Sequence, residues 1–429
     1  MTVTSREPAG PPRVLLVAPH GSYRTGPFLA AARRLGLEPV VASGGRHSVV
    51  AAYAQGLHLD LANEAAALAA IEAAARERPF AGVVATDDAT TELAARAAAC
   101  LGLPHNPPEA VRLARRKDLA RARLAVAGVR VPEHRVLDPG CDAAAQAAAL
   151  GFPAVVKPVA LAGSRGVIRV DDEAALAAAV ERVRAILARE DLLEPEARSR
   201  LLLERFIPGA EVAVEGMLDR GRLRLLAVFD KPDPLDGPFF EETYYVTPTR
   251  HSPEVVEALQ ALVESACAAY GLREGPVHAE CRINAGGVWL IELAARTIGG
   301  LCARLLGAGT GHGLEELVLA WATGRRPVPA APAGAAGVLM IPIPAAGVFK
   351  RVEGILEALR VPGIEDIDIQ VREGHTLVPL PEGSSYLGFI FARGDDPAAV
   401  EAALREAHAR LRIVVAPLWT LAPAPEAAA

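Results

Sequence analysis

The chain has 429 residues, enough for two or three domains with substantial hydrophobic cores. Apolar residues make up 51% of it but aromatic residues only 4%, and the abundant alanine favours helix. A formal net charge of −6, with acids and bases interspersed, leaves no electrostatic footprint for nucleic acid or an anionic membrane, so the expected partners are small molecules.

The elements alternate from the start. Arg13–Ala18 is a short apolar run, Pro27–Leu35 has a helical pattern ending at Gly36, and Glu38–Ala42 is a second apolar run. Glu64–Arg76 is alanine-rich and helical, Gly82–Ala85 is a further strand, and Asp88–Leu101 is a helix. Strands alternating with helices predict a parallel sheet covered on both faces, a Rossmann-like domain over residues 1–112. It contains no G-x-G-x-x-G, so a dinucleotide site is not supported.

From residue 113 the pattern changes. Strands Phe152–Lys157 and Val167–Val170 flank the glycine-containing loop Ala160–Gly166, and the helix Glu173–Arg189 follows. Leu201–Ile207, Glu211–Leu218 and Arg222–Phe229 are strands joined by short turns, which predicts antiparallel pairing. After a helix over Pro253–Tyr270, strands Val277–Ile283 and Val288–Leu293 form a hairpin about Asn284-Ala-Gly-Gly287. Arg325–Gly334, rich in Pro and Ala, is a linker. Residues 335–415 form a small α/β unit, and residues 416–429 a tail that is disordered at its end, Pro423–Ala429. The apolar run Gly337–Ile343 packs either inside its own domain or against the partner subunit of a homodimer.

The five cysteines (Cys100, Cys141, Cys267, Cys281 and Cys302) are dispersed and odd in number, so reduced thiols are expected. Val14–Ala18 is too short for a signal-peptide core and no stretch has bilayer-spanning length, which predicts a cytoplasmic protein.

The hairpin is the sharpest chemical feature. Alternate strand residues share a face, so His278, Glu280 and Arg282 oppose the apolar set Val277, Ala279, Cys281 and Ile283. The turn sets Glu292 nearly opposite Glu280. Facing carboxylates repel unless a cation lies between them. Mg2+ takes such hard oxygen ligands, and a solvated strand face is the alternative. Lys157 closes a buried strand and is either a phosphate ligand or a snorkelling side chain. Ala162–Val167 supplies backbone N–H groups and the Arg165 guanidinium for a polyphosphate. Glu204 interrupts an apolar strand and requires a partner there. Arg296 is placed either to hold a transferring phosphoryl group or to form a surface ion pair. The segment Asp230–His251, with Lys231, Glu241 and Glu242, forms a lid, a substrate wall or a solvated loop.

In sequence order, Lys117, Lys157, Gly163-Ser-Arg-Gly166, Glu204-Arg-Phe-Ile207, Pro208-Gly-Ala-Glu211, Glu280 and Glu292 resemble the ATP-grasp fold over residues 113–325. The resemblance implies α/β and α+β architecture: a Rossmann-like N-terminal domain, an ATP-grasp domain of two subdomains and a small α/β C-terminal domain. It also implies that Lys117 and Lys157 bind phosphates and the adenine side of ATP. Ser164, Arg165 and Gly166 would lie in the phosphate-covering loop. Glu204, Arg205, Phe206 and Ile207 would face adenine, and Glu211 the ribose. Glu280 and Glu292 would bind Mg2+, with Mn2+ as the alternative ion. Ala346–Gly354, Val361-Pro-Gly363 and Leu387–Gly394 resemble the C-terminal domain of L-amino acid ligases, which make dipeptides.

That family resemblance implies activation of a carboxylate as an acyl phosphate and its capture by an amine, with Arg296 and His278 beside the reacting group. One departure stands out. Many ATP-grasp enzymes carry Glu-x-Asn where this chain has Glu292-Leu-Ala294, and Ala294 cannot ligate a metal. An ATP-grasp carboxylase, a ligase acting on a non-amino-acid carboxylate or amine, and a non-catalytic ATP-binding module are the alternatives.

Overall fold

The computed structural model describes residues 10–20, 22–44, 55–190, 193–306, 312–328, 334–383 and 386–418. The expected disordered end of the tail lies outside them. So does most of the N-terminal segment and the middle of the linker. Strands β1 (Arg13–Ala18), β2 (Glu38–Ser43), β3 (Gln55–His58) and β4 (Phe80–Ala85) form a parallel sheet in the order β3-β2-β1-β4. Its central strand is an unbroken apolar run because helices cover both faces. Val14, Leu16 and Ala18 pack on one side with Phe28 and Ala32, and Leu15 and Val17 on the other with Ile71 and Ala97. The helix foreseen over Asp88–Leu101 begins instead with a 3-10 turn at Asp88–Thr90 and continues as Thr91–Cys100.

A second sheet is antiparallel, ordered β5-β8-β6-β7: β5 (His134–Leu137), β6 (Ala154–Pro158), β7 (Ile168–Val170) and β8 (Leu201–Arg205). The helix Glu173–Leu187, capped by the Asp172 side chain accepting from Ala175 N–H, packs its Leu176, Val180 and Val183 against it.

The largest sheet has eight strands. They are β9 (Ala210–Asp219), β10 (Arg222–Lys231), β11 (Tyr244–Thr247), β12 (Glu274–Asn284), β13 (Gly287–Ala294), β14 (Ala335–Ile341), β16 (Ile364–Ile369) and β18 (Gly388–Gly394), in the order β13-β12-β9-β10-β11-β14-β18-β16. It therefore runs without a break from the hairpin across the linker into the C-terminal part. The apolar run Gly337–Ile343 lies largely in β14, an interior strand paired to β11 and β18, and packs inside its own fold. A small sheet of β17 (Thr376–Leu377), β15 (Gly347–Glu353) and β19 (Arg412–Ala416) completes the architecture.

The hairpin forms as its turn residues require. Asn284 Oδ1 accepts from Gly286 N–H at 2.9 Å, and Gly287 takes φ +108°, a region that favours glycine. One face of β9 and β12 is apolar (Val212, Val214, Ala279, Cys281) and packs on the helix Pro253–Tyr270. The other face carries the polar residues. All five cysteines are free thiols, and among the described residues no helix is long and apolar enough to cross a membrane.

Candidate active site

Strand register assembles the polar face. Glu280 stands opposite Glu292 on β13 and opposite Ala213 on β9, His278 opposite Glu215, and Arg282 opposite Glu211, which in turn faces Lys231 on β10. Opposed residues in antiparallel strands share a face, so these side chains form one charged surface. A bulge between Glu280 and Cys281 leaves Ile291 unpaired in the ladder. This face floors a cleft of about 270 Å³. The small antiparallel sheet, the Asp87–Asp88 loop and the C-terminal residues Met340 and Tyr386 also line the cleft.

Two buried ion clusters flank the cleft. In the first, Glu204 receives Arg121 Nε at 2.6 Å and lies 2.6 Å from Lys157 Nζ. Burial alone would raise the Glu204 pKa, but Arg121 and Lys157 bring it down to about 2. Lys157 is itself lowered, chiefly by burial. In the second, Lys231 Nζ lies 2.8 Å from Glu211, 2.7 Å from Glu242 and 3.3 Å from Glu280. Arg282 Nε donates to the remaining Glu211 oxygen at 2.9 Å. Burial works against charging Lys231, yet the three carboxylates raise its pKa well above the usual lysine range. Against burial, Lys231 and His278 hold Glu280 down at about 2.

Between these clusters, Lys117 Nζ donates to Leu161 C=O at 2.7 Å and lies 3.1 Å from Glu292. Arg296 Nε donates to Asp88 at 2.8 Å across the junction with the N-terminal domain. Arg24 reinforces that junction by donating to the Thr86, Thr297 and Ile298 carbonyls. His278 Nδ1 is 3.3 Å from Glu215, which is fully buried and accepts from Ile298 N–H at 3.2 Å.

Of the residues singled out from sequence, Lys117, Lys157, Ser164, Glu204, Arg205, Phe206, Ile207, Glu211, His278, Glu280, Glu292 and Arg296 all line this cleft. Arg165 and Gly166 do not. The left-handed turn at Ser164 (φ +54°) and Gly166 (φ +72°) directs them to the C-terminal domain. There Arg165 Nε donates to Glu382 C=O at 2.8 Å and Gly166 N–H to Pro381 C=O at 2.9 Å. Arg182 completes this latch with paired bonds to the Glu382 carboxylate at 2.6 and 2.9 Å.

The structure also refines the surroundings of the predicted acids. Glu204 is a buried ion-pair partner, and both Glu211 oxygens are engaged. The carboxylates that cluster are Glu211, Glu242 and Glu280, whose oxygens lie within 4.8 Å of one another and could hold a cation, while Glu292 pairs with Lys117. Sequence reasoning missed Arg24, Asp88, Arg121 and Glu215. Only Glu215 left a usable signal, the alternation Glu211-Val-Ala-Val-Glu215 that sets both acids on one strand face.

The sequence matches the ATP-grasp N-terminal domain over residues 29–105, the ATP-grasp domain over 150–304 and L-amino acid ligase C-terminal domain 2 over 339–416. A D-alanine–D-alanine ligase of Ectopseudomonas mendocina is 30% identical over 232 residues, 52% of this chain and 69% of that protein. Dapdiamide A synthase of Enterobacter agglomerans is 30% identical over 162 residues, 38% of this chain and 37% of that protein. The crystal structure of an L-amino acid ligase from Bacillus licheniformis superposes with a TM-score of 0.76 at 27% identity, covering 94% of this chain and 99% of that one. The chain belongs to the ATP-grasp superfamily, among its carboxylate–amine ligases, and carries an L-amino acid ligase C-terminal domain.

Proposed function

We propose that the chain uses ATP to join the carboxylate of one amino acid to the amino group of another, releasing ADP and phosphate. The observation that carries this reading is the convergence of Lys117, Lys157, Glu280, Glu292 and Arg296, drawn from distant segments, on one cleft. In the first step a carboxylate oxygen attacks the γ-phosphorus of ATP, the bond to ADP breaks and an acyl phosphate forms. Lys117 and Lys157 bind the phosphates, and Arg296, oriented by Asp88, neutralises charge on the transferring group. In the second step the amine nitrogen attacks the acyl carbon, phosphate leaves and the nitrogen loses a proton.

The oxygen donors Glu280 and Glu292, opposed in register, suit Mg2+ or Mn2+, which would neutralise the phosphates when bound. Ser164, Phe206 and Ile207 line the cleft, and we assign them to the nucleotide. Burial disfavours a charged His278, but Glu215 and Glu280 raise its pKa overall. With Nδ1 3.3 Å from Glu215 and Nε2 3.8 Å from Glu280, His278 bridges the two acids, and we assign it to positioning Glu280. The free thiols support a cytoplasmic enzyme.

The test is phosphate release from ATP and Mg2+ with the twenty amino acids, singly and in pairs, followed by mass spectrometry. Release that requires a pair, with a product mass equal to the sum minus water, establishes dipeptide ligation. A protein that binds ATP but stays silent with every pair sinks it.

A further inference from the structure

The three-carboxylate cluster already contains a cation. Glu211 from β9, Glu280 from β12 and Glu242 from the segment before β11 converge as a divalent ion would require, yet Lys231 Nζ stands within 3.3 Å of all three. Lys231 is 6% exposed. Its ammonium lies 5.0 Å from the Tyr245 ring centroid, a cation–π contact that holds it further. Glu242 is fixed from the other side by Tyr386 Oη at 3.3 Å. Lys117 differs: it contacts one carboxylate and one carbonyl, so moving it strands a single acid.

We propose that Lys231 is a built-in cation that permanently fills one of the two cation positions formed by the carboxylates of this cleft, leaving the Glu280–Glu292 edge for the exchangeable metal. This inference rests on the assignment of Glu280 and Glu292 to Mg2+. Glu211 is buried and Glu242 and Glu280 are partly buried. With Arg282 as the other cation at Glu211, three carboxylates this close would repel one another strongly if Lys231 were absent. An ammonium on a short tether relieves that repulsion with no dependence on metal concentration. Ala294 fits the same arrangement: it stands opposite His278 on the hairpin and adds no ligand there. Lys231 thereby fixes the number of divalent ions that the site takes up, and it positions Glu280 rather than touching the reacting atoms.

The experiment counts Mn2+ bound per full-length chain by electron paramagnetic resonance, with a non-hydrolysable ATP analogue, in the wild type and in Lys231→Met. The variant is expected to bind one more Mn2+ than the wild type, and Lys231→Arg to keep the wild-type number. Tb3+ luminescence sensitised by the adjacent Tyr245 should appear in Lys231→Met and disappear again when Glu242→Gln is added. An unchanged Mn2+ count overturns the proposal. If Lys231→Met does not fold in EDTA, recovery of its thermal transition on adding Mn2+ reports the same site, and no recovery counts against it. A wild type that takes up no Mn2+ with nucleotide refutes the Glu280–Glu292 assignment instead, while the difference between variant and wild type still decides the role of Lys231.

Discussion

The two buried clusters use the same residue types and end with opposite charge. Around Glu204, two cations surround one carboxylate; around Lys231, three carboxylates face Lys231 and Arg282. Each cluster is buried, so neither acid nor base could stay charged alone. Pairing keeps them ionised and leaves an excess on each wall, positive on one and negative on the other. The cleft is thus polarised before any ligand arrives. Under the proposed function, the Lys157 wall would take the phosphates and the other wall a cation or a substrate ammonium.

The largest effect is expected at Glu204. Glu204→Gln strips Arg121 and Lys157 of their counter-charge, and we expect a loss of about 3–5 kcal/mol of stability in urea unfolding. The wild-type contribution is fully present above the ordinary carboxylate value of 4.5 and is lost as pH falls toward about 2. The Gln variant should therefore show a flatter stability profile across that acid range. Next in size, Lys157→Met leaves Glu204 paired with Arg121 but removes positive charge from the wall. Phosphate release is expected to fall by about 10²–10³-fold in kcat with the fold intact by circular dichroism. Glu292→Gln should abolish most turnover while nucleotide still binds, with a weaker Mg2+ dependence in titrations. The smallest effect belongs to the latch outside both clusters. Glu382→Gln removes an exposed Arg182 pair worth about 1 kcal/mol or less, so the KM for ATP should change by only a few-fold.

What sequence revealed depended on how local the signal was. The opposition of Glu280 and Glu292 followed from one turn and the strand period, and the helix Pro253–Tyr270 was legible from its start at Pro253 to the glycine after its end. Lys231 and Glu242 stood out only as members of a segment, because their partners depend on β9 lying between β10 and β12. The pairing of Arg296 with Asp88 spans two domains, and no periodicity announces it. Arg121 was hidden for another reason. On a helix an arginine is ordinarily solvent-facing, and only the strand carrying Glu204 turns this one into a buried partner.

The eight-stranded sheet constrains how this protein can lose parts. The strand β11 is short, its four residues are all buried, and β14 supplies its outer hydrogen bonds. A chain cut within the linker would turn Tyr244–Thr247 into an open, apolar edge, a template for strand addition by a neighbouring molecule. Shedding the C-terminal portion would therefore yield an aggregation-prone remnant rather than a smaller nucleotide-binding protein. Gene rearrangements that exchange that portion must also restore a strand that matches β11.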